Sequence, residues 1–253
     1  MSDTAPANPP RRIDYGSYLQ LDELLSLQTL QSTPQHPDEL LFIVVHQASE
    51  LWFKVLLHEL STLITALQQF DTMRALLAIQ RVNVLTEIIA QQLSSLDTLP
   101  PQRFAQFRGY LGSSSGSQSV QFRAIEATAG LRDPHFMSAI TEHGDPPADV
   151  RAALERPTLQ ALTEALIAHE GVTLALLYTG AAPTPLFLVV EGLLEFEQRF
   201  ARWRFLHVQL VERIIGPGTG GTGGTLGAKY LSRTVSQRFF PALWAVRSEL
   251  YGR

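Results

Sequence analysis

Two long stretches carry apolar side chains at helical spacing with no proline inside them. One begins after Pro37 and runs through "ELLFIVVHQASELWFKVLLHELSTLITALQQF" to about Phe70; the other follows Pro185 as "LFLVVEGLLEFEQRFARWRFLHVQLVERIIG". Proline suits a first helical position, and Asp38 and Glu39 suit a first turn, so the first stretch is predicted to start as a helix there. Gly216 and Pro217 stop the second. Elsewhere apolar residues also recur at helical rather than alternating spacing, and β-branched runs of strand length are scarce. The chain is predicted to be all-α.

Shorter helices are expected over Tyr18 to Leu27, Asp71 to Leu96, about 147–154 and about 157–178, with a last one in "KYLSRTVSQRFFPALWAVRSELYGR". Pro100 and Pro101 interrupt the pattern, and "GSSSGSQS" reads as a loop between two helical pieces. No repeat of fixed period is visible. The polar, proline-rich residues 1–12 read as a disordered tail without the apolar core of a secretion signal, and 13–253 as a single helical domain.

Composition narrows the chemistry. The 253 residues are 45% hydrophobic and 17% charged, ordinary for a soluble globular protein, and the formal charge of −4 with no long basic run gives no reason to expect a nucleic-acid partner. The absence of cysteine excludes disulfides, thiolate metal sites and a cysteine nucleophile. A bound metal must then be held by histidine or carboxylate. Charged and polar residues interrupt the apolar runs, so no membrane span is expected and a cytoplasmic protein is the default reading.

Of seven histidines, two sit on apolar helical stripes. His46 shares a face with Phe42, Ser49 and Phe53, and His207 with Phe200, Trp203, Leu210 and Ile214. A single core histidine is most simply a packed, hydrogen-bonded one. A pair on two long helices is more suggestive, because helical bundles hold cofactors between facing helices and neutral imidazole is a good iron ligand. His36, His135 and His143 lie in polar loops, and His58 and His169 read as surface or packing residues. Arg108 is either an exposed helix-end arginine or, through its planar fork, the partner of a ligand carboxylate.

The ribbon "GTGGTGGTLG", residues 218–227, lacks the preceding strand and the Gly-Lys-Ser/Thr ending of a phosphate loop. It is either a slack linker or a lid whose glycines allow close approach to a ligand.

Taken together, "YGSYLQLDELLSLQ", "DELLFIVVHQASELWFKVLLHEL", "FRGYLGSSSGSQSVQFRAIE" and "WRFLHVQLVERIIGPGTGGTGGTLGAKYL" resemble the tryptophan 2,3-dioxygenase family in order, spacing and content. The resemblance spans most of the chain from Tyr15 onward and is weakest between about 130 and 185. It implies an all-α helical-bundle haem protein of the tryptophan/indoleamine dioxygenase type, a homotetramer with one haem b per subunit, that uses O2 to convert L-tryptophan to N-formylkynurenine. By the same resemblance His207 is the proximal iron ligand, His46 the distal histidine that meets the indole N–H, and Phe42 its neighbour against the ring. Arg108 pairs with the substrate carboxylate, and Ser115 lies near the haem in the distal pocket. Thr222, with Thr219 as the weaker alternative, grips the amino-acid end, so that the ribbon is a substrate lid. Tyr15, Tyr18 and Leu19 belong to a segment that reaches into a neighbouring subunit's pocket.

The chain departs from the family pattern at Ser117, where an aromatic residue is usual, in "LPPQR", and in the repeat of the ribbon. The alternative on the same scaffold is a haem-dependent monooxygenase or hydroxylase of a tryptophan- or tyrosine-like amino acid. A non-enzymatic haem-binding scaffold is disfavoured by His46, Arg108 and Thr222 together, since a scaffold needs no charge partner beside an apolar pocket.

Overall fold

The computed structural model describes residues 13–132, 134–141, 144–180, 182–220 and 227–252. The residues expected as a tail, 1–12, lie outside them. Among the described residues the regular structure is helical throughout, with no strand.

Three long helices form the frame: α3 (Glu39–Gln68), α4 (Thr72–Leu93) and α11 (Pro185–Ile215), with α4 packed along both of the others. Each starts where local chemistry dictates. The Asp71 side chain accepts from Arg74 N at 2.9 Å to cap α4, and Thr184 accepts from Phe187 N at 3.1 Å to cap α11, with Pro185 at its first position. Gly216, at φ 85, ends α11 and returns its N–H to the Glu212 carbonyl.

The buried stripe of α3, Leu56, Leu60, Leu63 and Leu67, steps by four, three and four residues and meets Ile79, Val82 and Ile89 of α4 in one apolar core. The helix α4 also runs close against α11. At Gly192 an added Cβ would lie 2.9 Å from Cγ2 of Ile79, and the Gly192 carbonyl accepts from Asn83 Nδ2 at 3.0 Å.

Shorter helices surround this frame: α1 (Tyr15–Leu19), α2 (Leu21–Ser26), α5 (Pro101–Phe107), α6 (Val120–Ala129), α7 (Pro134–Thr141), α8 (Ala148–Glu155), α9 (Leu159–His169), α10 (Leu174–Thr179), α12 (Ala228–Thr234) and α13 (Pro241–Tyr251). Three of the expected helices are each divided in two. The segment expected as one helix from Tyr18 is α1 and α2, because Asp14 and Ser17 form a capping box that starts the helix early and Gln20 turns left-handed at φ 51. The 157–178 segment breaks at Gly171, φ 68, into α9 and α10. The final helix breaks before Pro241 into α12 and α13.

The C-terminal helix is pinned by one buried carboxylate. Glu197 of α11, 2% exposed, accepts from the backbone N–H of Phe239 and Phe240 at 2.6 and 2.8 Å, from Trp244 Nε1 at 2.6 Å and from Arg238 at 2.9 Å. Replacing Glu197 by alanine strands those donors, and a loss of about 3–5 kcal/mol is expected in urea unfolding. A change below about 1 kcal/mol would show that water replaces the carboxylate there.

By length and composition α3 could cross a membrane, with a window of mean hydropathy 1.5 of which 17% is buried. Its outer face carries Leu40, Val44, Leu51 and Val55 exposed at helical spacing.

Candidate functional site

Where the N-terminal half of α3 and the C-terminal half of α11 run past each other, they enclose a cavity of about 600 Å³ whose wall is mainly apolar. The stripe of α11 that packs into the core at Phe196 and Phe200 continues at the same spacing into this wall as Trp203, His207, Leu210 and Ile214. From α3 come Phe42, His46, Ser49 and Phe53. Phe104 and Arg108 also line it, and the serine loop from Ser114 to Ser119 adds hydroxyls to the wall. His46, His207, Phe42, Arg108 and Ser115 are therefore gathered around one space. Both imidazoles, expected on core stripes, face that cavity.

His46 is oriented within its own helix. Its Nδ1 lies 2.7 Å from the Phe42 carbonyl, and its ring lies 4.3 Å from the Phe42 ring, which in turn leans on Phe104 at 5.6 Å. A carbonyl can only accept, so Nδ1 carries the proton and Nε2 of the neutral ring keeps a lone pair. The ring has accessible surface because it borders the cavity, yet protein surrounds it closely. Burial pushes the His46 pKa down, opposed by the Phe42 hydrogen bond and the Glu50 carboxylate. Glu50, on the same wall, is held by Gln121 Nε2 at 2.8 Å.

The His207 imidazole is pushed down to about 4, first by burial and then by the charge of His46. Trp203 flanks it with ring centres 5.4 Å apart. Among the described residues neither of its nitrogens takes part in a hydrogen bond. A neutral imidazole in an apolar wall, with no hydrogen-bond partner among the described residues, keeps a lone pair that a metal could take.

The low pKa has a consequence for stability. The unfolded chain takes a proton at His207 near the ordinary 6.5 and the folded chain only near 4, so between these values the unfolded state binds more protons. Stability of the ligand-free protein is expected to fall as pH drops through that window, with the loss complete below about 4. Urea midpoints taken from pH 7 to pH 4 check this, and the dependence should flatten in a His207→Ala chain.

Arg108 donates from Nη2 to the carbonyl of Gly220 at 2.6 Å, so the one described contact between the arginine and the glycine ribbon is a backbone one. Ser115 Oγ lies 2.9 Å from Ser117 Oγ. Thr219 is exposed and is not part of the cavity wall, and Thr222 lies outside the described residues. Tyr15 and Tyr18 are 76% and 75% exposed, Leu19 is exposed too, and none of the three lines this cavity.

Further wall residues were not foreseen. Arg204, one turn before His207, is buried and paired with Glu126 at 2.6 Å, and Glu126 also takes Arg123 at 2.9 Å. An arginine on the Phe200–His207 stripe was the available signal. Gln31 is another: its backbone N–H donates at 2.7 Å to the carboxylate of Glu39, which ties a wall loop to the start of α3.

What the cavity can hold follows from its donors. Among the described residues no three His, Asp or Glu side chains cluster to bind a bare ion. A metal here must bring its own ring of ligands and needs from the protein a single imidazole, which is the requirement of porphyrin iron. The apolar wall, the volume, and the guanidiniums of Arg108 and Arg204 fit a flat, largely apolar group with anionic arms.

The sequence profile described as "Tryptophan 2,3-dioxygenase" matches residues 7–145 and 158–250. A tryptophan 2,3-dioxygenase of Kineococcus radiotolerans is 39% identical over 264 residues, covering 95% of this chain and 92% of its own length. One from a Nocardioides species is 40% identical, covering 94% and 95%, and one from Bacillus cereus 39% identical, covering 93% and 92%.

Proposed function

Since the chain belongs to the tryptophan 2,3-dioxygenase family, we propose that it is a haem b enzyme that inserts both atoms of O2 across the C2–C3 bond of the L-tryptophan indole, giving N-formylkynurenine. The observation that carries the reading is the pair of neutral imidazoles, His46 and His207, facing one cavity that Arg108 also lines.

Haem held in this cavity would supply the redox-active iron that O2 chemistry requires. His207 would hold the iron, since its depressed basicity keeps a lone pair for a metal at neutral pH. His46 holds its Nδ1 proton on the Phe42 carbonyl, so its Nε2 accepts the indole N–H and fixes the ring over the site. An indole N–H is a very weak acid, and His46 positions it rather than removing its proton in the resting complex.

The Phe42 ring, braced by Phe104, supplies the apolar contact to the indole. Arg108 takes the substrate carboxylate as a two-pronged ion pair, which requires it to release the Gly220 carbonyl. Ser115 borders the distal side, and Thr222, from the ribbon, grips the ammonium and carboxylate end. The ribbon then shields the reacting atoms from water.

In this reading 13–253 is one catalytic domain working in the cytoplasm as a homotetramer. The exposed row Leu40, Val44, Leu51 and Val55 on α3 supports burial against another copy. The exposed Tyr15, Tyr18 and Leu19 on α1 are then the residues that complete a neighbour's pocket.

The test is turnover of the reduced, haem-loaded protein with L-tryptophan and isotopically labelled O2. A product heavier by two labelled oxygens is expected; one added oxygen would assign a hydroxylase instead, and unchanged substrate would remove the enzymatic reading.

A further inference from the structure

His36 takes no part in the reaction proposed above, yet both of its ring nitrogens are engaged. It sits half-buried in the loop between α2 and α3, where Nδ1 accepts from the backbone N–H of Asp38 at 3.2 Å and Nε2 lies 3.0 Å from Oε1 of Gln106 on α5. A backbone N–H can only donate. Nδ1 is therefore bare, and Nε2 carries the proton and donates it to Gln106.

The same loop grips that stretch at two further points. Tyr110 Oη donates to the Thr33 carbonyl at 2.6 Å, and Arg103 Nε lies 2.6 Å from a carboxylate oxygen of Asp38. Arg103, Gln106 and Tyr110 step by three and four residues through α5 and the tight turn Arg108–Leu111 that continues it, so they share one face. Phe104, Arg108 and Leu111 step by four and three, form the opposite face and line the cavity. The loop thus holds the back of the segment whose front carries Arg108.

Its other end is fastened to α3. Glu39, 1% exposed, accepts from the N–H groups of Gln31 and Ser32 at 2.7 and 3.0 Å and from the Ser32 hydroxyl, whose oxygen accepts from the His36 N–H at 2.8 Å. Since α3 also supplies Phe42 and His46 to the cavity, the loop bridges the two elements that carry them and Arg108. Phe104 and Phe107 pack with Ile214 and Ile215 and keep α5 against α11, but apolar contact is non-directional and leaves register to polar ties.

We propose that His36 is a positioning residue: through Gln106 it sets where the Arg108 guanidinium stands relative to Phe42 and His46, and so how well the site takes an indole that bears a carboxylate. This rests on the reading of Arg108 as the partner of that carboxylate.

The test separates the tie to α5 from the shape of the loop. At position 36 an asparagine can still accept from the Asp38 N–H but is too short to reach Gln106, whereas a glutamine can reach Gln106 but gives up the bond to Asp38. Binding of L-tryptophan and of tryptamine, which lacks the carboxylate, is titrated into the full-length haem-loaded protein without O2 and read by the Soret shift. His36→Asn is expected to weaken L-tryptophan about tenfold and tryptamine by less than about twofold, while His36→Gln stays within about threefold of wild type on both. Gln106→Leu cuts the same tie from the other side; it should match His36→Asn and add nothing to it.

The reverse order, a harmless asparagine and a damaging glutamine, would make His36 a residue of loop shape and overturn the proposal. Equal losses on both ligands, or none, would overturn it too. In an Arg108→Leu chain, His36→Asn should change L-tryptophan binding by less than about twofold, a result that needs no second ligand; a further tenfold loss there would show that His36 acts elsewhere. Arg108→Leu alone keeps the two readings apart. If it weakens both ligands alike, the carboxylate reading of Arg108 fails; if it discriminates between them and the His36 and Gln106 variants do not, only the positioning role is lost.

Discussion

Replacing His207 by alanine is expected to give a folded chain that purifies without its Soret band and turns over L-tryptophan at least about a thousandfold more slowly, equivalent to about 4 kcal/mol in the barrier. Among the described residues no cluster of three His, Asp or Glu offers another way to hold a metal, and the free Nε2 of His46, the other imidazole on the wall, is the acceptor assigned above to the indole N–H. Removal of His207 also takes away a group held neutral against its ordinary tendency, so the stability of the cofactor-free variant should fall less between pH 7 and pH 5 than that of the cofactor-free parent. Imidazole added to the buffer should restore part of the Soret band by filling the space left behind. A His207→Ala protein that kept its haem while His46→Ala lost it would exchange the roles of the two histidines.

The second large effect is expected at Arg108. Without its guanidinium, a substrate carboxylate taken out of water has no partner, and breaking such a pair costs about 3–5 kcal/mol, or roughly two to four orders of magnitude in kcat/KM. Arg108→Leu should show this with L-tryptophan and not with tryptamine, which has no carboxylate to lose. Arg108→Lys should recover only part, since a single ammonium cannot match two oxygens in one plane. Comparable losses on both substrates would point to the other bond this arginine makes, to the Gly220 carbonyl, and so to the shape of the ribbon rather than to the ligand.

The parts of this fold that could be read in advance are those set by neighbours in the chain. The frame helices α3 and α11 follow from period and punctuation, and the cavity-facing positions of His46 and His207 follow from that same period once two long helices are accepted. The left-handed turn at Gln20 carries no glycine or asparagine to announce it, so the division between α1 and α2 had no local signal. The Arg204–Glu126–Arg123 group joins residues nearly eighty positions apart, and only packing brings them together. The serine loop looked like a surface connection by composition. Its hydroxyls border the cavity because α5 and α6 hold its two ends against α3 and α11.

Gly192 sits fifteen residues before His207 on an unbroken helix, about 22 Å away at 1.5 Å per residue. A methyl group there would press into Ile79 and force α11 to slide or tilt on α4. On a rigid rod such a shift is carried to the far end, where it sets how far the His207 imidazole reaches into the cavity. The smallest side chain in the helix therefore acts as the fulcrum on which the depth of the His207 imidazole in the cavity is levelled.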